Sequence, residues 1–534
     1  MAAERLRHRV DDRETRAPHD RGMRRRFLIS PAMMAAAAVI TLVTAGATTD
    51  TALPATVDGP TVATIGAPMD SRPIAPGFLG LSLEYYAVTP YAGSSPAAVN
   101  PVLVQLIRNL APGQSPVLRI GGDSTDRTWW PVPGMPRPGG VRFTLTRRWL
   151  RVVRALAQAT GARLVFGVNL EADSEALSAA EAQAIVAGIP RNELDALELG
   201  NEPELYAKFK WYAGADGRRV YARAAGWEFS DYVHQYSQFS SVLPLVHLAG
   251  PTSGIPNWIR DIPQFVAAEP QVKLVTVHRY PLQRCYTRPS SPMYPTIAHL
   301  LAQSSSRGLA NSVATDASLA HSRGLTLRVD ELNSVACSGE PGISDVFASA
   351  LWALDTAFQM ARIGVDGVNI HTFPGASYEP FTVSRPHGHW QSFVEPEYYG
   401  LMMFAQAAPP GSRLLSITLP AAGGVRAWAT RATNGTVRAV LMNDTPVRRI
   451  IALRAPGTPP GTVAHLERLL APSITARRGI TLSGQSFGSQ TDTGRLAGGS
   501  SVRALAPIKR DYVLAVPGYS AAMLTLTNPA QRRP

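Results

Sequence analysis

The sequence predicts an α/β fold, an eight-stranded (β/α)8 barrel of the TIM type followed by an antiparallel β-sandwich. Three observations lead to this fold class. Short β-branched runs alternate with amphipathic helical stretches from Phe78 to about Thr372. Past Tyr399 the helical period gives way to alternating, strand-like runs. Asn434-Gly435, between two of these runs, is a strong hairpin signal.

Eight strand candidates account for the barrel. They are residues Phe78–Glu84, Val117–Gly121, Arg163–Asn169, Ala196–Asn201, Leu245–Gly250, Leu274–His278, Leu325–Glu331 and Gly367–His371. Helical stretches such as Arg147–Thr160 lie between them, and eight βα units over roughly 300 residues match a barrel with insertions. A doubly wound open sheet is the alternative architecture, but no glycine-rich phosphate loop follows the first strand.

The chain divides into four regions. We expect an export signal over residues 1–47, a linker with one strand pairing to the C-terminal domain over 48–75, the barrel over 76–405 and the sandwich over 406–530. The signal is indicated by Arg24–Leu28, an apolar stretch, and a cleavage-like Ala45–Ala47. Its arginines fit twin-arginine export, ordinary secretion is the alternative, and translation from Met23 stays open. The sequence thus predicts an extracytoplasmic protein with no stable membrane span after cleavage.

Composition narrows the class of protein further. The net charge of +13 includes four surplus positive charges from positions 1–26, which hold nine Arg and five acidic residues. No basic run follows, so we expect no nucleic-acid partner.

The two cysteines, Cys285 and Cys337, indicate one disulfide in an oxidising compartment, with two buried thiols as the alternative. Neither a zinc-type cluster nor a serine nucleophile elbow occurs, and we expect no metal and no cofactor.

Polar residues stand at the carboxyl ends of the predicted strands, where a barrel gathers its loops. They are Glu84, Asp123, Asn201, Glu202, His278, Tyr280, Asp330, Glu331 and His371, and Arg119 lies within the second strand. Carboxylates are costly to bury without a purpose, so this convergence is the main functional signal. His278 and His371 are interpreted as hydrogen-bonded core histidines and take no part in the predicted site.

Two of these carboxylates form the central pair. Glu202 follows the fourth strand in the motif Leu197–Glu204, and Glu331 closes the seventh strand, across the barrel mouth. Glycoside hydrolysis needs two carboxyl groups on either side of one glycosidic bond. One donates a proton to the leaving oxygen, and the other attacks the anomeric carbon in its ionised form. The pair therefore predicts a glycoside hydrolase.

These motifs resemble those of the retaining TIM-barrel glycosidases and, more narrowly, glycoside hydrolase family 79, the β-glucuronidase and heparanase family. The matching segments are Phe78–Glu84, Leu118–Asp123, Leu199–Pro203, Glu331–Ser334, Val394–Gly400 and Val516–Ala522. The resemblance covers about residues 60–527. It implies Glu202 as acid/base and Glu331 as nucleophile. It also places Asn201 at the sugar 2-hydroxyl and Tyr280 on the nucleophile, where Arg119 adds positive charge as a hypothesis.

The resemblance implies further substrate contacts. Glu84 and Asp123 match acceptors for the sugar 3- and 4-hydroxyls, and Tyr398 matches a tyrosine that binds the uronate carboxylate. Backbone N–H groups of the loop after the nucleophile, here Ser338 and Gly339, match a glycine pair that holds the same carboxylate. Because one expected glycine is serine, we expect this contact to persist only if the serine keeps a negative φ.

The expected function is removal of β-linked glucuronic acid, or its 4-O-methyl relative, from a carbohydrate substrate with retention. The first alternative is the same machinery acting on a neutral sugar, as in a β-xylosidase or an arabinofuranosidase. The second is a non-catalytic carbohydrate-binding protein of the envelope.

Overall fold

The structure, a computed structural model, describes residues 60–420 and 424–527. Within them, eight parallel strands close into a barrel, which confirms the predicted fold class. The strands are β1 (Leu79–Glu84), β2 (Val117–Gly121), β3 (Arg163–Val168), β4 (Leu194–Leu199), β5 (Leu248–Ser253), β6 (Val272–Arg279), β7 (Thr326–Leu332) and β8 (Gly367–Thr372). The ring closes where β8 pairs with β1, with Val368 opposite Leu79.

One boundary differs clearly from the prediction. The fifth strand begins at Leu248 instead of Leu245 and runs on to Ser253. Leu245 is 87% exposed, whereas Leu248 is buried, so the apolar character of Leu245 does not mark a core position. The longer carboxyl end of β5 brings Thr252 to the mouth of the barrel.

A principal helix follows each strand and covers the outside of the barrel. These helices are α1 (Pro101–Leu110), α2 (Arg147–Thr160), α3 (Glu175–Gly188), α4 (Phe229–Ser240), α5 (Ile262–Ala268), α6 (Ala314–Ser322), α7 (Phe347–Arg362) and α8 (Pro396–Ala407). Helix α2 shows why they form. The Thr146 hydroxyl accepts the Trp149 N–H at its start, and Gly161 ends it in a left-handed conformation. Its buried residues, such as Val153 and Ala157, recur at helical spacing and face the strands.

The C-terminal module is one ten-stranded sheet that curls around its own apolar core. Its strands are Thr61–Pro68, Arg413–Thr418, Val425–Arg431, Val437–Asn443, Arg449–Arg454, Ala464–Leu470, Thr481–Leu482, Arg503–Leu505, Asp511–Val516 and Ser520–Leu526. The first of these pairs with two strands, antiparallel to Arg413–Thr418 and parallel to Arg449–Arg454. The strand Ala464–Leu470 was not among the predicted ones, because its apolar residues alternate with His465, Glu467 and Arg468.

The sheet is joined to the barrel through α7. The ring of Trp428, on the second strand after the barrel, stacks on Phe358 with centroids 5.2 Å apart and an angle of 7°. Its indole N–H also donates to Asp355 Oδ1 over 2.8 Å. Asp355 forms an ion pair with Arg426 of the same strand. The shared aromatic and ionic contacts hold the sheet against α7 on the outside of the barrel.

No helix in the described parts of the chain has both the length and the apolarity needed to cross a bilayer. The predicted export signal and the first part of the linker lie outside the described residues.

Candidate active site

Glu202 and Glu331 meet at the carboxyl end of the barrel. Glu331 lies within β7, and Glu202 lies just past β4 with a φ of +47°. One carboxylate oxygen of each residue and one ring nitrogen of His278 all lie within 4.8 Å of one another. The spacing is close to the roughly 5–5.5 Å typical of retaining glycosidases and shorter than the roughly 6.5–9.5 Å of inverting ones.

Arg119, on β2, holds this end of the barrel together. Its side chain is fully buried, and its nitrogens donate to five oxygens. The acceptors are Glu198 Oε2 at 2.7 Å, Glu331 Oε2 at 2.8 Å, Asn201 Oδ1 at 2.9 Å, Ser82 Oγ at 3.2 Å and Thr252 Oγ1 at 3.3 Å. A guanidinium has five N–H donors, so every one of them is used. The positive charge that the sequence analysis placed near the nucleophile therefore contacts Glu331 directly.

Glu331 is held as a carboxylate. The hydroxyl of Tyr280 donates to its Oε1 over 3.0 Å, and Nδ1 of His371 lies 3.7 Å from its Oε2. Burial opposes ionisation of Glu331, but the positive charges of His371 and Arg119 and the Tyr280 hydrogen bond outweigh it and lower the pKa of Glu331. Burial also opposes the charge on His371, yet the negative charge of Glu331 prevails and raises the pKa of this imidazole.

Glu202 is held in the opposite protonation state. The loss of solvation among the surrounding protein atoms raises the pKa of Glu202 to about 8, and the negative charges of Glu331 and Asp123 add to this shift. The side chain keeps 23% of its surface open to the cleft, so its proton remains within reach of a ligand. Oε1 of Glu202 lies 3.0 Å from Nδ1 of His278. One carboxyl group is thus protonated near neutral pH while the other is ionised, the division that an acid and a nucleophile require.

Asn201 and Asp123, the residues expected to contact sugar hydroxyls, lie near the pair. The Asn201 backbone N–H donates to Asp126 Oδ2 over 2.9 Å, and this anchors the residue beside Arg119. Asp123 begins the loop after β2 and is exposed to solvent.

Glu84 was expected to accept a hydrogen bond from a sugar hydroxyl, but its side chain lies below the surface of the cleft. Its side chain is buried, and its carboxylate accepts the backbone N–H groups of Asp123 at 3.1 Å and Ser124 at 2.8 Å. The Ser124 hydroxyl donates to it as well. Glu84 therefore holds the loop that presents Asp123, and it lies beneath the cleft surface.

The loop after β7 differs from the expected glycine pair. Cys337, Ser338 and Gly339 have φ values of +66°, +70° and +80°, so the serine does not keep a negative φ. The Gly339 N–H donates to the Val335 carbonyl over 3.1 Å and is already engaged. Cys285, in the loop after β6, forms a disulfide with Cys337, with Cα atoms 6.2 Å apart. The disulfide ties the two loops together where the left-handed run begins.

The prediction for Tyr398 as a uronate ligand is wrong. Tyr398 belongs to α8, is fully buried, and donates its hydroxyl proton to the Leu106 carbonyl of α1 over 2.6 Å. Besides Tyr280, a second tyrosine borders the site, Tyr378 in the loop after β8. Its ring centroid lies 6.1 Å from that of Tyr280 and 6.0 Å from that of His371.

His278 and His371, expected to be core histidines outside the site, are part of it. His278 contacts Glu202, and His371 lies between Glu331 and Glu84, with Nε2 at 3.5 Å from the latter. Their position at strand ends, next to carboxylates on neighbouring strands, was a signal that could have included them. Because most buried histidines are hydrogen-bonded core residues, the sequence pattern alone does not assign these two to the site.

The convergence of Glu202, His278 and Glu331 also has the composition of a metal site. However, each converging atom already has a partner within the protein. Oε2 of Glu331 accepts from Arg119, and Nδ1 of His278 lies at hydrogen-bond distance from Glu202. A divalent cation here would stand against a buried guanidinium, so the donor set fits proton chemistry better than metal binding.

Two solved structures that share this architecture are glycosidases. A 4-O-α-L-rhamnosyl-β-D-glucuronidase from Fusarium oxysporum superposes with a TM-score of 0.66 at 20% identity, over 87% of this chain and 100% of its own. A family GH51 arabinofuranosidase from Xanthomonas axonopodis pv. citri gives 0.62 at 15% identity, over 88% and 100%. The chain shares the fold of those two enzymes, a barrel joined to a β-sheet module.

The sequence comparison adds a curated relative. A β-glucuronidase of Aspergillus niger is 23% identical over 405 residues, covering 70% of this chain and 72% of the relative. A scan against protein-family models finds no match.

Proposed function

We propose that the protein is an exported retaining glycosidase that removes β-linked glucuronic acid, or 4-O-methyl-glucuronic acid, by double displacement. The single observation that carries this proposal is the pair Glu202 and Glu331, whose carboxylate oxygens lie within 4.8 Å and whose pKa values move in opposite directions. The similarity to a β-glucuronidase supports the choice of sugar. The signal-like residues 1–47 support export.

In the first step, Glu331 attacks the anomeric carbon, and Glu202 gives its proton to the leaving oxygen as the glycosidic bond breaks. The sugar is then bound to Glu331 as an ester, and the aglycone departs as an alcohol. The loss of the Glu331 charge removes one cause of the high pKa of Glu202. Glu202 can therefore take a proton from water in the second step, and the hydroxyl displaces Glu331 with overall retention.

The geometry also supports a place for the sugar. Asn201 and Asp123 offer hydrogen-bonding groups beside the catalytic pair, and Asn201 is anchored for a contact with the 2-hydroxyl. The loops after β7 and β8 meet where the Ser377 N–H donates to the Ser338 carbonyl over 2.7 Å. We place the uronate carboxylate at this junction, beside Tyr378 in place of Tyr398.

A second candidate is a glycosidase of the same architecture that acts on a neutral sugar, favoured by the structural similarity to an arabinofuranosidase. Aryl β-glucuronide, β-xyloside and α-arabinofuranoside substrates with one common aglycone separate the candidates. We expect the glucuronide to have the highest kcat/KM and NMR to show the β-anomer as the first product. Equal or better xyloside turnover would refute the uronate specificity.

Matched variants test the catalytic roles. Glu331→Gln is expected to abolish turnover of every substrate, because it removes the nucleophile. Glu202→Gln should cost about 10²–10⁴-fold with a poor leaving group and far less with an activated one, since only the poor leaving group needs a proton. Retained hydrolysis in both variants would favour neither role. If the variants still bind glycans and the wild type hydrolyses none, the protein is a carbohydrate-binding protein.

A further inference from the structure

Thr252 occupies an unusual backbone conformation next to the acid/base. It lies near the end of β5, is fully buried, and has a φ of +54°. A β-branched residue rarely adopts a left-handed conformation, and such residues concentrate at functional sites. The Thr252 carbonyl accepts the backbone N–H of Glu202 over 3.1 Å. Since Glu202 is itself left-handed, the two strained residues are joined directly.

The hydroxyl of Thr252 lies between Arg119 and His278. Nη2 of Arg119 is 3.3 Å from Oγ1, and Nε2 of His278 is 3.0 Å from it. A guanidinium only donates, so the Thr252 oxygen must accept from Arg119. The hydroxyl proton of Thr252 is then available for the lone pair of His278 Nε2.

This order of donors determines the tautomer of His278. If Nε2 accepts, the ring proton of the neutral imidazole is on Nδ1. Nδ1 is 3.0 Å from Oε1 of Glu202, so it donates to the carboxyl group of the acid/base. Burial lowers the pKa of His278 and favours the neutral ring that this chain of hydrogen bonds requires.

The opposite tautomer fits the surroundings poorly. With the proton on Nε2, the oxygen of Thr252 would accept from both Arg119 and His278. The Thr252 hydroxyl proton would then need another acceptor in a fully buried position, and unpaired buried donors are rare. Nδ1 would have to accept, so the proton of Glu202 would point at the ring instead of the cleft. Asp330 Oδ1, at 3.8 Å from Nε2, is too distant for a hydrogen bond.

We propose that Thr252 is a positioning residue that fixes His278 in its Nδ1–H tautomer and so keeps the proton of Glu202 directed at the leaving group. The inference rests on the proposed function of Glu202 as acid/base. In this proposal Arg119 is linked to both carboxyl groups of the pair, Glu331 and Glu202. Arg119 reaches Glu331 directly through Nη1, and it reaches Glu202 through Thr252 and His278.

The tautomer serves both steps of the reaction. When Glu202 has given its proton to the leaving oxygen, the Nδ1–H bond stabilises the new carboxylate. When water then attacks the glycosyl-enzyme, Glu202 takes a proton from that water, and His278 stays neutral throughout. The charged or titratable groups that face His278 and Glu202 are Arg119, Asp123, Glu198, Glu204, Asp330, Glu331 and His371.

Kinetics with two leaving groups test the proposal. Thr252→Val keeps the shape and the β-branching but removes the hydroxyl, whereas Thr252→Ser keeps the hydroxyl. We expect Thr252→Val to lose about tenfold or more in kcat/KM on a methyl glucuronide, which is part of the roughly 10²–10⁴-fold available from general acid catalysis. Turnover of a dinitrophenyl glucuronide should change little, and Thr252→Ser should restore most of the loss.

The matched control is Thr356→Val on α7. Thr356 is also buried, and its hydroxyl has no hydrogen-bond partner among the described residues. This control should leave both rates unchanged. Equal losses by Thr252→Val on both substrates, or no loss on either, would overturn the proposal.

Nitrogen NMR of ¹⁵N-histidine-labelled protein tests the tautomer without any substrate. The His278 ring signals are assigned by their loss in His278→Gln. We expect a protonated Nδ1 in the wild type and a loss of that preference in Thr252→Val. A protonated Nε2 in the wild type would overturn the inference whether or not the protein hydrolyses glucuronides. A wild type without hydrolysis but with the expected tautomer would instead refute the proposed function alone.

Discussion

The hydroxyl of Tyr280 donates a hydrogen bond to Oε1 of Glu331 over 3.0 Å, while the second oxygen of the same carboxylate accepts from Arg119 over 2.8 Å. Tyr280→Phe removes the first of these bonds and leaves the ring in place. Hydrogen bonds to charged groups contribute about 1.5–3 kcal/mol, so we expect kcat/KM to fall roughly ten- to a hundredfold. Steady-state kinetics on an aryl glucuronide measures the effect. An unchanged kcat/KM would show that the contact does not support the nucleophile.

Tyr398→Phe is the matched substitution away from the site. It removes the hydrogen bond to the Leu106 carbonyl. The free energy of unfolding should fall by about 0.5–1.5 kcal/mol, while KM for a glucuronide stays constant. Denaturant unfolding and KM are measured on the same preparation. A selective rise in KM for glucuronides would restore Tyr398 as a uronate ligand.

The pH profile follows from the pKa values of the pair. Glu202 must be protonated to act as an acid, so kcat/KM should decline as the pH rises through about 8. Glu331 has a lowered pKa and remains ionised in mildly acidic solution, so activity should persist below neutrality. Kinetics from mildly acidic to alkaline buffers test both limbs. An alkaline limb near the ordinary glutamate value of about 4.3 would contradict the assignment of Glu202.

Chelation tests the interpretation of the Glu202, His278 and Glu331 group. Dialysis against EDTA should leave kcat/KM unchanged, because Arg119 already neutralises the carboxylate that a metal would bind. Added Zn²⁺ should give no activation. Activity that is lost on chelation and regained with one divalent ion would show that the group is a metal site.

The disulfide between Cys285 and Cys337 should support both stability and the loop after β7. Replacing both cysteines by serine is expected to cost about 2–4 kcal/mol of unfolding free energy. Because the loop borders the proposed carboxylate site, KM for a glucuronide should rise more than KM for a neutral aryl glycoside. Thermal unfolding and kinetics with and without reductant report both effects. Wild type that is insensitive to reductant in both measurements would contradict this role.

The barrel and the meeting of Glu202 with Glu331 could be predicted from the sequence because both depend on local patterns. Apolar runs at regular intervals define the strands, and parallel strands in a barrel bring their carboxyl ends to one mouth. Glu202 and Glu331 therefore could be assigned to one site without knowledge of any distance.

The contacts of the histidines depend on relations between strands that the sequence does not encode locally. The pairing of β6 with β7 shifts register between Val277 and His278. That irregularity alters the alignment of His278 with the residues of β7. The left-handed conformations of Glu202 and Thr252 likewise fall on residues that carry no turn signal of the glycine type.

Tyr398 and Tyr378 show a different limit. Tyr398 stands in a recognisable motif, but its helix directs the side chain into the core between α8 and α1. Tyr378 lies in a loop without periodicity, and only the fold brings its ring to within 6.1 Å of Tyr280. A motif match located the segment near the site but not the side chain that borders it.

Covalent labelling tests the central claim most directly. A 2-deoxy-2-fluoro-β-glucuronyl fluoride should inactivate the protein and form an ester that digestion and mass spectrometry can locate. The structure predicts one adduct, on Glu331, formed at a rate that Glu331→Gln abolishes. An adduct on another carboxylate, or continued hydrolysis of glucuronides with no adduct at all, would contradict the assignment of the nucleophile.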